Sequence, residues 1–93
     1  MISVNEYFNG NVKSLGLTAE GGKATIGVMA AGEYEFGTST IEIMRIVSGR
    51  LEVLLPGETQ WREYGPDTEF TVAAGVKFSV RAKADTSYLC LYR

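Results

Sequence analysis

The side chains able to do chemistry in this chain are few and of a restricted kind. Its 93 residues include no histidine and a single cysteine, Cys90. Imidazole general bases and histidine-held metals are therefore ruled out, and neither an intrachain disulfide nor a cysteine-based metal cluster can form. Cys90 sits between Leu89 and Leu91, which marks it as a buried, inert thiol and not a nucleophile. What remains is the chemistry of carboxylates, phenolic hydroxyls, cationic side chains and aromatic faces. One grouping of cations is set by spacing: Lys77, Arg81 and Lys83 alternate with Phe78, Val80 and Ala82, so a strand here puts the charges on one face and the apolar residues on the other. Such a face is more often solvated than functional.

The elements that must position these residues are read as strands. No segment sustains a helical period, and β-rich runs recur every eight to twelve residues between turn signals, the pattern of a sandwich or barrel. Nine strands are expected: Val12 to Leu17, Lys23 to Met29, Glu33 to Phe36, Ile41 to Val47, Arg50 to Leu55, Gln60 to Tyr64, Glu69 to Val72, Lys77 to Ala82 and Thr86 to Tyr92. Gly21-Gly22, Ser48-Gly49, Pro56-Gly57, Gly65-Pro66-Asp67, Ala74-Gly75 and Ala84-Asp85 punctuate them, each a turn-forming combination. Alternation turns Leu51, Val53 and Leu55 inward. The run Ile41 to Val47 breaks the pattern, with Ile41, Ile43 and Val47 on one face and Met44 and Ile46 on the other. Both faces of that strand should be covered, by a second copy in a homodimer or by a second sheet of the same chain.

At this length only one domain, spanning residues 1–93, is expected. A hydrophobic fraction of 45% exceeds what a minimal core requires and again favours a dimer. The net charge of −2 and the dispersal of the nine Lys and Arg with no run longer than one argue against a nucleic-acid or anionic-membrane surface. The stretch Met1 to Glu6 has no basic region leading into an apolar one, and nowhere do about 18 apolar residues run together, so a cytoplasmic protein is expected.

The order of motifs resembles the cupin superfamily, whose first motif combines a glycine, a His-x-His pair, a glutamate and a closing glycine. Glu42 and Gly49 occupy the last two places. Where the histidines belong stands Gly32-Glu33-Tyr34-Glu35-Phe36-Gly37-Thr38, so Tyr34, Phe36 and Thr38 would line the interior. The second motif appears as Ala73-Ala74-Gly75-Val76-Lys77-Phe78, with Phe78 in place of its histidine. The resemblance implies a small jelly-roll β-barrel. With every histidine place lost, Glu42 alone cannot hold a transition metal, and no metal or other cofactor is expected.

A closer resemblance covers the whole chain. Asn5-Glu6-Tyr7-Phe8 with Gly10, Val12-Lys13-Ser14, Gly27-Val28-Met29, Gly32 to Phe36, Leu51 to Pro56, Trp61, Phe70-Thr71-Val72 and Thr86 to Tyr92 make it similar to the very short pyrimidine/purine nucleoside phosphorylases built on one cupin barrel. Ala73 replaces the proline of the second motif and Asp67 stands in place of a glycine, both read as turn adjustments. The resemblance implies phosphorolysis, in which a nucleoside and inorganic phosphate give free base and pentose 1-phosphate, on purines and pyrimidines alike.

That chemistry needs sugar contacts, base stacking, anion-binding donors and help for the departing base. Glu42 and Tyr34 are the expected catalytic residues. Phe36, Thr38, Trp61, Phe78 and Tyr88 are expected to line the nucleoside site, where stacking tolerates any base. Lys77 and Arg81 are the expected phosphate ligands, chosen from a field that includes Arg45, Arg62 and Lys23. The competing reading is a non-catalytic module, a histidine-free cupin that binds a small ligand or partner, or a structural dimer without a ligand.

Overall fold

A computed structural model describes residues 1–93. All nine expected runs form strands, and a tenth precedes them. The strands are β1 (Ser3–Tyr7), β2 (Val12–Ala19), β3 (Gly22–Met29), β4 (Gly32–Gly37), β5 (Glu42–Ser48), β6 (Leu51–Leu54), β7 (Arg62–Tyr64), β8 (Glu69–Val72), β9 (Lys77–Ala82) and β10 (Thr86–Tyr92). β1 escapes sequence reading because it is an edge strand with no buried residue. Its conformation comes from pairing with β2, from Ser3 opposite Gly16 to Tyr7 opposite Val12.

The strands form two antiparallel sheets. One runs β1-β2-β3-β10-β5-β8, the other β4-β9-β6-β7. Neither sheet closes on itself, so the expected barrel takes the form of a two-sheet jelly-roll sandwich. The core lies between the sheets. Val12, Met29, Ile46 and Val72 from the large sheet meet Leu51, Val53, Val80 and Ala82 from the small one. Leu55 packs against this core, as alternation predicts. No helix is long and apolar enough to cross a membrane.

Two glycines are required by close approach. Gly49 turns β5 into β6 at φ +91, where a Cβ would come within 2.8 Å of the Asp85 carbonyl oxygen and of Thr86 Cα. Gly27 on β3 faces Tyr88 of β10, its register partner, and any Cβ there would collide with the tyrosine ring. Asp67 adopts φ +64 in a turn closed by hydrogen bonds from the Thr68 amide and hydroxyl to the Gly65 carbonyl, at 3.2 and 2.6 Å. Aspartate tolerates this left-handed conformation better than most residues, which accounts for its standing where a glycine was expected.

β5 shows what covers its two faces. Met44 and Ile46 are buried between the sheets, whereas Ile41 and Val47 are 45% and 55% exposed. No second sheet of the same chain covers the outer face. Cross-strand partners share a face, and the register aligns Val4, Leu15, Ile26 and Leu89 across four strands, with Leu17, Ala24, Leu91 and Ile43 in the neighbouring row.

Candidate active site

The start of β5, the end of β10, the end of β4 and the start of β9 converge at one end of the sandwich. There the core residues stop meeting, and a cavity of about 460 Å³ opens between the sheets. Small-molecule sites commonly fall in the range of roughly 300–1,000 Å³. From the small sheet come Phe36 and Phe78, register partners with ring centroids 5.8 Å apart. From the large sheet come Glu42, Met44, Tyr88, Cys90 and Tyr92, joined by Ser14 of β2. Tyr7, the last residue of β1, and Phe8 after it complete the lining and are partly exposed.

The polar groups of the wall take part in two hydrogen-bonded pairs on β5, β10 and β3. Glu42 is the register partner of Tyr92. The Cys90 thiol donates to Glu42 Oε1 at 3.5 Å, and the hydroxyls of Tyr92 and Thr25 share a hydrogen bond of 3.1 Å. Burial raises the Glu42 carboxyl above its ordinary value, with the thiol's hydrogen bond a smaller, opposing influence. Desolvation of this kind penalises the charged form of the carboxyl. Burial likewise pushes Cys90 and Tyr88 up to about 12, and Tyr92 is also raised, chiefly by burial. The thiol is thus protonated and sequestered.

The structure brings together Glu42, Phe36, Phe78 and Tyr88 of the residues singled out by sequence. It sets five others apart from the cavity wall. Tyr34 is buried, and its hydroxyl donates to the Ala30 carbonyl at 2.6 Å. Thr38 ties two loops together, donating to the Ala73 carbonyl at 2.7 Å and accepting from the Val76 amide at 3.1 Å. The Arg81 guanidinium lies 3.8 Å over the Trp61 ring and binds Glu33 at 2.9 Å, on the outer face of the small sheet. Lys77 is exposed at the start of β9, opposite Gly37 of the cavity rim. No lysine or arginine is among the residues lining the cavity, which include two glutamates, Glu35 and Glu42.

Sequence reading missed Tyr7, Phe8, Ser14, Glu35 and Tyr92 and gave Cys90 no place in the site. A signal existed for two of these, because Tyr88, Cys90 and Tyr92 recur at period two and must share a face. For Tyr7 and Phe8 none existed until β1 was known to be a strand. No group of three or more His, Cys, Asp or Glu side chains is placed so as to hold a metal ion.

The chain is an all-β sandwich of cupin-like fold with an aromatic cavity and an inward glutamate, but without imidazole. A structure described as an RmlC-like cupin from Shewanella frigidimarina superposes with a TM-score of 0.73 at 14% identity, over 97% of this chain and 81% of that one. Residues 2–92 match the family model for pyrimidine/purine nucleoside phosphorylase, and the chain belongs to that family. A Pseudomonas aeruginosa (strain LESB58) protein of that name is 57% identical over 93 residues, covering 100% of both chains. The crystal structure of a Vibrio parahaemolyticus protein of unknown function superposes with a TM-score of 0.93 at 42% identity, covering 97% of this chain and 96% of that one.

Proposed function

We propose that this protein is a metal-independent nucleoside phosphorylase, acting as a homodimer in the cytoplasm on both purine and pyrimidine nucleosides. The observation that carries the reading is the half-buried Glu42, held at the wall of an aromatic, nucleoside-sized cavity where burial raises its carboxyl above the ordinary value. Phe36, Phe78 and Tyr88 supply apolar faces for a base. Broad specificity follows, because stacking reads a π-face and not a hydrogen-bonding edge.

In the reaction, the bond between C1′ and the base nitrogen breaks with its electron pair going to the base. Glu42 delivers a proton to the departing base and becomes a carboxylate. A phosphate oxygen forms the new bond to C1′ on the opposite face of the sugar, giving pentose 1-phosphate. Solvent then returns the proton to Glu42. Phosphate needs cationic or amide donors, and Lys77 is our choice for it. It flanks Phe78, stands opposite Gly37 on the rim and has no carboxylate partner, whereas Arg81 is already engaged with Glu33 and Trp61. Tyr34 serves at one remove, its ring backing the aromatic wall through Phe36 at 6.1 Å. Thr38 holds the loops beyond that wall, and Trp61 belongs with Arg81 at the outer rim.

The dimer would use the outer face of the large sheet, where two rows of apolar residues lie in register. A stable monomer by light scattering at micromolar concentration would count against it. The free thiol of Cys90 suits a reducing compartment.

The decisive experiment incubates the protein with uridine or inosine, with and without inorganic phosphate. Free base and pentose 1-phosphate should form only when phosphate is present, and turnover should survive exhaustive chelation. Base release without phosphate would mean a hydrolase, and no release at all would favour the binding module. Glu42→Gln should lower turnover by about tenfold or more, equivalent to ~1.4 kcal/mol of transition-state stabilisation. Lys77→Ala should raise the KM for phosphate and leave that for nucleoside unchanged.

A further inference from the structure

The turn between β1 and β2 is built against conformational preference. Phe8, Asn9 and Gly10 take φ values of +53, +57 and +87 in succession, so two residues with side chains occupy the left-handed region that favours glycine. Strain of this kind persists only where the surroundings over-determine it, and it concentrates at binding sites. Here the surroundings do over-determine it. The Phe8 carbonyl accepts both from the Asn11 amide at 3.1 Å and from Asn11 Nδ2 at 3.0 Å. The Asn11 carbonyl accepts from the Ala30 amide at 2.7 Å, and the Ala30 carbonyl accepts from the Tyr34 hydroxyl at 2.6 Å. The chain of bonds thus ends on the tyrosine whose ring packs against Phe8.

The product of this arrangement is the position of one ring. Phe8 lies 5.0 Å from Tyr34, and 5.5 Å from Phe36 at an interplanar angle of 86°. It is nevertheless 42% exposed. Phe8 lines both the cavity and the shallow groove beside Trp61. A core phenylalanine would be buried, and a phenylalanine without a role would have no need of a strained, doubly bonded turn to hold it at an opening.

We propose that Phe8 is a base-stacking residue of this cavity, held at its mouth by the left-handed turn Phe8–Gly10. The proposal rests on the nucleoside reading for the identity of its ligand, a planar heteroaromatic base. It adds a specificity-determining residue that makes no hydrogen bond to the base and therefore serves purines and pyrimidines alike.

The test compares wild type with Phe8→Ala, Phe8→Leu and Phe8→Tyr. Phe8→Leu keeps apolar bulk against Tyr34 and Phe36 but has no π-face, so it covers the case in which the alanine variant fails to fold. Two quantities are measured: the affinity for free uracil and hypoxanthine by calorimetry, and the KM and kcat for uridine and inosine. The alanine and leucine variants should each lose about fivefold or more in affinity for both bases and show a matching rise in nucleoside KM. Their KM for phosphate should not move, and Phe8→Tyr should restore wild-type values. Wild-type base affinity in Phe8→Leu, with turnover intact, would overturn the stacking role alone. A wild-type protein that binds both bases through Phe8 but cleaves no nucleoside would sink the phosphorylase reading and uphold the stacking role.

Discussion

The two ends of the sandwich are made by the same strands and differ in what those strands point inward. At the packed end Met29, Ile46, Leu51, Val53 and Val80 are wholly buried, and Thr86 is the one wholly buried polar residue beside them. Its hydroxyl is satisfied by the Ala84 carbonyl at 2.9 Å. At the open end the same inward parity delivers Glu42, Tyr88, Cys90 and Tyr92, with a cavity between them. β5 shows the contrast within one strand, from Glu42 at the cavity through Met44 to Ile46 in the dry core. One end therefore spends its burial on stability, and the other holds polar groups part-way out of water, where their protonation is shifted. A fold this small can hold a half-buried carboxyl beside a cavity because its closed half supplies the cohesion.

The sharpest way to break this comparison is to cut into the packed end and watch the open one. Leu51→Ala should destabilise the protein by about 2–5 kcal/mol in denaturant unfolding, while the nucleoside KM stays that of the wild type. A KM that rises in step with the lost stability would show that the two ends are one cooperative unit.

Gly27→Ala tests the seam between them. Its Cβ would drive the Tyr88 ring out of its seat, and overpacking of this kind typically costs about 1–3 kcal/mol. Here ligand affinity should fall as well, since the displaced ring belongs to the cavity wall. Unchanged affinity would mean that Tyr88 moves away from the site.

Tyr34→Phe removes the hydrogen bond to Ala30 and should cost about 1 kcal/mol of stability. Its effect on turnover should be smaller than that of Glu42→Gln. An equal or larger loss of turnover would move the chemistry to Tyr34.

The smallest expected effect lies in the pH dependence of stability. The folded-state carboxyl of Glu42 is raised above its unfolded value of 4.5, so the folded protein holds this proton more tightly than the unfolded chain. The contribution is fully present below pH 4.5 and is lost as the pH rises through the folded value. Glu42→Gln mimics the neutral form, so the variant should be slightly more stable than wild type at pH 7 and indistinguishable from it well below pH 4.5. A destabilised variant at pH 7 would show that the carboxylate is held by favourable bonds and is not merely desolvated.

Alternation along single strands was sufficient to place Leu51, Val53, Phe78, Val80 and Ala82 in the core and to put Lys77 and Arg81 outside it. The family was legible too, because it resides in the order of motifs along the whole chain. β1 was not, since an edge strand exposed on both faces carries no periodic signal and owes its shape to hydrogen bonds with β2. Nor could the sequence separate Tyr34 from Phe36, two residues apart on the same face of β4. The first ties its hydroxyl to Ala30 and the second lines the cavity.

By itself the sequence determined which way the side chains of the clearly alternating strands point, because a strand's period of two is a local property of the backbone. How far along the sandwich each inward residue sits, and hence whether it meets core or cavity, was decided only by the tertiary structure. That depth is set by the register of strands distant in the chain. β10 lies between β3 and β5, and Cys90 thereby stands opposite Thr25 on one side and Met44 on the other. That pairing brings the Cys90 thiol to Glu42 and the Tyr92 hydroxyl to Thr25, which no local pattern encodes.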